Sequence, residues 1–252
     1  MSLVEEIIAS LPQPETAVRG VWCCAFWTLV ESRGAGLASS MRSEGDPYHT
    51  DAPAAVRGAG ALEGRPAGEL ACYVLEADPV SASIGMAAIN SLLDPPAQAV
   101  EINAADLLAE KAAGKTLAVV GHFPFVRRLE SRVRRLWVFE RRPRPGDFAA
   151  EMFTAVAPEC EVICLSATTI MNHTAETLLA SCRPEAFVVM VGPSTPFTPV
   201  LFDYGVDVLA GSVVTDAPQA LRYLKEGAVF RQLKGRGVQL RSWARSPKDL
   251  RH

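Results

Sequence analysis

The chain lacks several of the commonest functional signatures. It has no run of about 18 uninterrupted apolar residues, the length that a helix needs to cross a bilayer, so neither a membrane span nor a membrane partner is expected. It has no G-x-G-x-x-G turn and no phosphate loop ending in Gly-Lys-Ser/Thr, so NAD is not an expected cofactor. None of its six cysteines forms a C-x-x-C pair, which argues against a structural zinc site. The G-x-S-x-G elbow of serine hydrolases is absent too, because Gly192-Pro193-Ser194-Thr195-Pro196 lacks the second glycine. Charge of one sign does not dominate. The net charge is −3, which points to no polyanionic partner such as nucleic acid. The start, MSLVEEIIASLPQ, is acidic and amphipathic and lacks the basic opening of a signal peptide, so a cytoplasmic location is expected. Cys23, Cys24, Cys72, Cys160, Cys164 and Cys182 mostly sit in apolar stretches and are expected to be reduced and buried.

What is present divides into two grammars. Leu3, Val4, Ile7, Ile8 and Leu11 recur at helical spacing and end near Pro12. TAVRGVWCCAFWTLVE reads as one or two strands, GAGLASSM as a paired strand, and PAGELACYVLE and PVSASIGMAAINSLL as helices. That order makes an α+β unit. DPPAQAVEINAADLL reads as the linker to a second unit. There, TLAVVGHF, RLWVFERR, EVICLSAT, AFVVMVGPS and the weaker VDVLAGSVV are apolar strands that alternate with helical patterns. Alternation of this kind predicts a mainly parallel α/β sheet with helices on both faces. Ligands bind such sheets beyond the carboxyl ends of the strands.

The predicted strand ends carry polar or conformationally special residues. The first ends in Gly121-His122-Phe123-Pro124, the second in Phe139-Glu140-Arg141, the third in Ser166-Ala167-Thr168-Thr169, and the fourth in Gly192-Pro193-Ser194-Thr195-Pro196. A parallel sheet brings these distant segments to one edge. His122 and Glu140 are the candidate metal ligands or proton-transfer groups, against the plainer readings of a loop-fixing histidine and a carboxylate paired with its arginine neighbours. Thr168, Thr169 and Asn172 lie where a helix starts, and can cap it or meet a ligand. Ser194 and Thr195 sit in a loop stiffened by Pro193 and Pro196, and are expected to form one wall of a ligand site. The run RRLESRVRRLWVFERRPR has no nucleic-acid signature and reads as a charged helix face and loop.

VVGHFPF, FERRPRPGD, SATTIMNHT and GPSTPFTPVLFDYGVDVLAG occur in the order of the signature blocks of the putative heavy-metal chelation family, which the chain resembles. IGMAAINSLL resembles the matching block of its usual front domain. The resemblance implies an α+β enolase-N-terminal-like domain over residues 1–98, then a Rossmann-like α/β domain over 99–252, with a site in the cleft between them. The expected function is chelation of a heavy metal, or binding of a metal complex or small polar ligand, in that cleft; the imidazole and oxygen donors read above suit a divalent transition metal held through His122 and Glu140. The alternative is a metabolite-processing enzyme, a transferase or hydrolase, that uses the same cleft. A homodimer is the default partner state. The family pattern carries Gly where this chain has His173. His49 and Asp51, in the loop 45–53, could reach the cleft, and Asn90 is a lone amide within an apolar helix.

Overall fold

A computed structural model describes residues 1–42 and 56–250. The loop 45–53, with His49 and Asp51, lies outside the described residues. The first helix, Leu3–Ala9, starts on a reciprocal capping box between Ser2 and Glu5 and buries Leu3, Val4 and Ile7. Strands β1 (Gly20–Cys23), β2 (Trp27–Glu31) and β3 (Ala35–Ser39) follow as an antiparallel meander. The helix Pro79–Leu92 packs across it, started by Asp78, whose carboxylate accepts from the Ser81 N–H, and by Pro79 in the first turn. Residues on every side of this helix are buried, so it shows no polar face. Gly36 permits the close approach of helix and sheet. A Cβ on Gly36 would fall 2.1 Å from the Ala87 carbonyl oxygen and 2.2 Å from the Ser91 nitrogen.

The larger sheet holds β4 (Thr116–Val120), β5 (Arg135–Glu140), β6 (Phe148–Ala149), β7 (Val162–Ser166), β8 (Phe187–Val191), β9 (Val208–Val214) and β10 (Val238–Ala244). Its order is β10-β9-β8-β7-β4-β5-β6, and every pairing is parallel except β9 with β10. The five apolar runs read from the sequence are β4, β5, β7, β8 and β9. The antiparallel edge strand β10 was not among them.

The chain runs outward from β4 through β5 to β6, then returns to the other side of β4 as β7. The connections therefore diverge between β4 and β7, and at such a point the strand ends open a crevice. One face of the sheet, with Ala118, Val120, Phe139, Ile163, Leu165 and Met190, shares a continuous core with the first helix and Pro79–Leu92. The opposite face, with Leu117, Val119, Val162, Cys164 and Val189, packs on Leu107 and Leu108 of the helix Ala104–Lys111. The linker segment is itself tied down: the Val100 N–H donates to the Ser242 carbonyl at 2.9 Å, and the Ser242 N–H donates back at 2.8 Å.

The cysteines depart in part from the expectation of burial. Cys160 and Cys164 are buried, Cys24 and Cys182 are half-buried, and Cys23 and Cys72 are exposed. Cys23 closes an edge strand, where one flank meets solvent. Burial pushes the Cys182 thiol up to about 12 and the Cys164 thiol higher still.

Candidate functional site

The loops after β4, β7 and β8 converge with β9 on a single cleft of about 540 Å³. Phe123, Pro124 and Phe125 come from the loop after β4, Ser166 to Thr168 from the end of β7, and Gly192 to Ser194 from the loop after β8. Gly121 brings the first two segments together. Its φ is +103°, and a Cβ there would lie 3.0 Å from the Ser166 Cβ. The remaining walls come from elsewhere in the chain: Trp27 and Ser39 from the front sheet, Asn103 to Ala105 from a helix start, Phe230, Arg231 and Lys234, and Leu240 to Ser242 on β10.

The lining has a definite chemistry. Phe123 and Phe125 stack with ring centroids 5.1 Å apart and planes 11° apart. Trp27 and Phe230 meet at 5.7 Å with a tilt of 59°. The Trp27 Nε1–H donates to the Ala228 carbonyl at 2.9 Å, which satisfies its one polar group inside the protein. Arg128, Arg231, Lys234 and Arg241 are the charged lining residues, and no described Asp, Glu, His or Cys lines the cleft. Arg128 reaches Asp106 at 3.2 Å and Arg241 approaches Glu101 at 3.9 Å.

The residues expected from the sequence fall into three groups. Thr168 and Ser194 line the cleft. Thr168 Oγ1 lies 2.8 Å from Ser166 Oγ. Ser194 is buried; its Oγ accepts from the Ser39 N–H at 2.9 Å, and its carbonyl accepts from Asn90 Nδ2 at 3.2 Å. The Gly192–Pro196 loop is thus both a wall of the cleft and a clamp on the front sheet. Thr169 and Thr195 lie behind the lining. Thr169 Oγ1 donates to the Ser166 carbonyl at 2.6 Å, and Thr195 Oγ1 donates to the Ala210 carbonyl at 3.3 Å.

His122, Glu140 and Asn172 do not line the cleft. His122 Nδ1 faces Asp147 at 3.4 Å. Glu140 accepts from the neighbouring Arg141 N–H at 3.2 Å. Asn172 sits at the end of the short helix Thr168–Met171 rather than at its start, and Oδ1 accepts from Thr174 Oγ1 at 2.6 Å. The cleft spans the ends of β4, β7 and β8 and the middle of β9, whereas Glu140 ends β5, on the far side of β4.

His173 has φ +60°, the left-handed region that favours glycine, and its Nε2 lies 2.7 Å from the Val74 carbonyl oxygen. A backbone of this kind is where glycine would sit without strain, and the His173 ring bridges to the segment Cys72–Leu75.

A directly coordinated metal does not fit this donor set. Among the described residues, no three His, Cys, Asp or Glu side chains lie together in a way that could hold an ion. The cleft offers hydroxyls, carbonyls and cations, and cations repel a metal ion.

Fold and cleft together define a mixed α/β protein with a mainly parallel seven-stranded sheet and an apolar, cation-bearing cleft at its strand ends. The chain belongs to the family described as putative heavy-metal chelation: one family profile of that description matches residues 103–241, and a second matches residues 4–93. It is similar to a solved protein of unknown function from Desulfitobacterium hafniense, from the same family, at 27% identity over 96% of this chain and 97% of that one, with a TM-score of 0.77. A protein of unknown function from Pyrococcus horikoshii, also of this family, shares the fold, with 22% identity over 96% and 98% of the two chains and a TM-score of 0.76. An uncharacterized protein of Methanocaldococcus jannaschii is 29% identical over 166 residues, which are 63% of this chain and 64% of that protein's length.

Proposed function

We propose that the cleft binds a small organic ligand, and that a metal handled by this chain enters as a complex with that ligand. The carrying observation is the cleft itself, which combines a volume of about 540 Å³ with a position at the divergence of the strand connections. The family description supports a link to metals, and the donor set favours an indirect one. A metal that arrives inside an organic chelator needs few protein ligands.

The meander-plus-helix order of the front segment and the reversal of the large sheet support an enolase-N-terminal-like unit over 1–98 and a Rossmann-like unit over 99–252. The enzymatic alternative draws less support. Its natural proton-transfer group, His122, faces Asp147 and is not a lining residue.

The test is a thermal-shift screen of small metabolites and metal chelates against the wild-type chain and Ala104→Trp. Ala104 is a half-buried lining residue, so a large ring there fills the cleft. Compounds that stabilise the wild type and not the variant support the proposal. Compounds that stabilise both equally refute it.

A further inference from the structure

We infer that the cleft selects an organic anion with a flat, apolar body. This rests on the reading of the cleft as a ligand site. Three observations carry it.

The first is charge. Among the described residues, four cations and no carboxylate line the cleft, although the whole chain carries a net charge of −3. The local sign is therefore opposite to the global one. Low-dielectric walls strengthen such a field and raise the local concentration of an anion. Two of the four cations share their charge outside the cleft. Arg128 and Arg241 approach Asp106 and Glu101, whose side chains are 58% and 62% exposed. Arg231 and Lys234 have no ion pair among the described residues. Arg231 lies in the short helix Phe230–Leu233 and Lys234 caps its end, and both line the cleft. They are the cations best placed to meet a carboxylate, phosphate or sulfonate group.

The second observation is the apolar body of the cleft. The stacked Phe123–Phe125 pair and the Trp27–Phe230 pair present ring surfaces, and Ile102, Val191 and Leu240 add aliphatic ones. A flat ligand can meet ring faces at little cost in ordering. Phe230 directly precedes Arg231, so one short segment offers both a ring and a cation.

The third is the sparse but specific polar content. The hydroxyls of Ser166 and Thr168 lie at the cleft floor formed by the end of β7, within 2.8 Å of each other. They can orient a polar edge of the ligand without adding charge. A free metal ion meets no carboxylate, imidazole or thiolate among the described lining residues, whereas an anionic chelator meets cations and hydroxyls.

The experiment uses the full chain and two probes that share one ring system. Anilinonaphthalene sulfonate carries a negative charge, and phenylnaphthylamine is its uncharged counterpart. Both are titrated by fluorescence into the wild type, into Ala104→Trp, and into the double variant Arg231→Ala/Lys234→Ala. Both of the latter positions are exposed, so the fold should persist, and circular dichroism checks it.

The expected result is saturable sulfonate binding, about tenfold tighter than that of the uncharged probe. The double variant should lose about tenfold in sulfonate affinity and leave the uncharged probe unchanged. Added salt should weaken sulfonate binding to the wild type. Equal affinity for the two probes, no saturable binding of the sulfonate, or an unchanged sulfonate affinity in the double variant overturns the anion selectivity. Binding of both probes that survives Ala104→Trp overturns the cleft reading itself, and the two failures are thereby told apart.

Discussion

The clamp between the Gly192–Pro196 loop and the front sheet can be measured through Ser194→Ala. Ser194 is buried, and its Oγ accepts the Ser39 N–H at 2.9 Å. The Ser39 N–H is at the end of β3, where no further strand pairs with it in the three-stranded sheet. Alanine removes its acceptor and leaves a half-buried donor unmatched, at a cost of about 1.5 kcal/mol. For a chain of this size, that lowers Tm by roughly 3–6 °C. Asn90 holds the same junction. Its Nδ2 donates to the Leu37 carbonyl at 2.9 Å and to the Ser194 carbonyl at 3.2 Å.

Asn90→Ala should therefore destabilise by a similar amount, and the pair should not be additive. A double-mutant cycle by urea denaturation should show a coupling energy of at least about 0.5 kcal/mol. The midpoints should move without a change in slope. A Tm shift under about 1 °C for Ser194→Ala, with strict additivity in the cycle, would refute the clamp and reduce the loop to a plain turn.

Other consequences follow from single contacts. His173 keeps a glycine-like φ of +60° through its bond to Val74, so His173→Ala loses the bond and keeps the strain. It should be less stable than His173→Gly by about 1 kcal/mol in urea, and the reverse order would contradict the strain argument. Gly36→Ala drives a methyl into the backbone of Ala87 and Ser91 and should cost about 3 kcal/mol, whereas a neutral result would show that the helix can retreat freely. Glu161 is held below the ordinary glutamate range by the Thr116 N–H at 3.0 Å and then by Arg134 at 2.6 Å. A depressed folded pKa gives stability that is present above the unfolded value and lost as pH falls through the folded one. The urea midpoint of the wild type should thus fall more steeply than that of Glu161→Gln between about pH 5 and pH 3, and parallel curves would reject this linkage.

Much of the scaffold is legible in the sequence, for identifiable reasons. β4, β7 and β8 are buried on both faces, so TLAVV, VICLS and FVVMV are continuous apolar runs. β10 is harder to see. VQLRSWA contains Gln, Arg and Ser because it is an edge strand, half of whose positions meet the cleft or solvent. The site divides in the same way. Thr168 and Ser194 are legible because glycine, proline and hydroxyls cluster where their strands stop. His122 and Glu140 share that signal, but the sheet order places Glu140 across β4 from the cleft and the loop turns His122 to Asp147. Trp27, Asn103, Phe230, Arg231, Lys234 and Arg241 reach the cleft through tertiary packing alone. The one local hint is the aromatic-cation sequence VFRQLK, which also reads as an ordinary amphipathic turn.

Native mass spectrometry of the chain purified without a His-tag or chelators, with elemental analysis of the same sample, decides between an organic ligand and a directly held metal. A bound organic mass that is lost in Ala104→Trp is expected, with any metal present only in proportion to it. A stoichiometric metal with no organic companion, retained in Ala104→Trp, would mean that the protein's own side chains coordinate it.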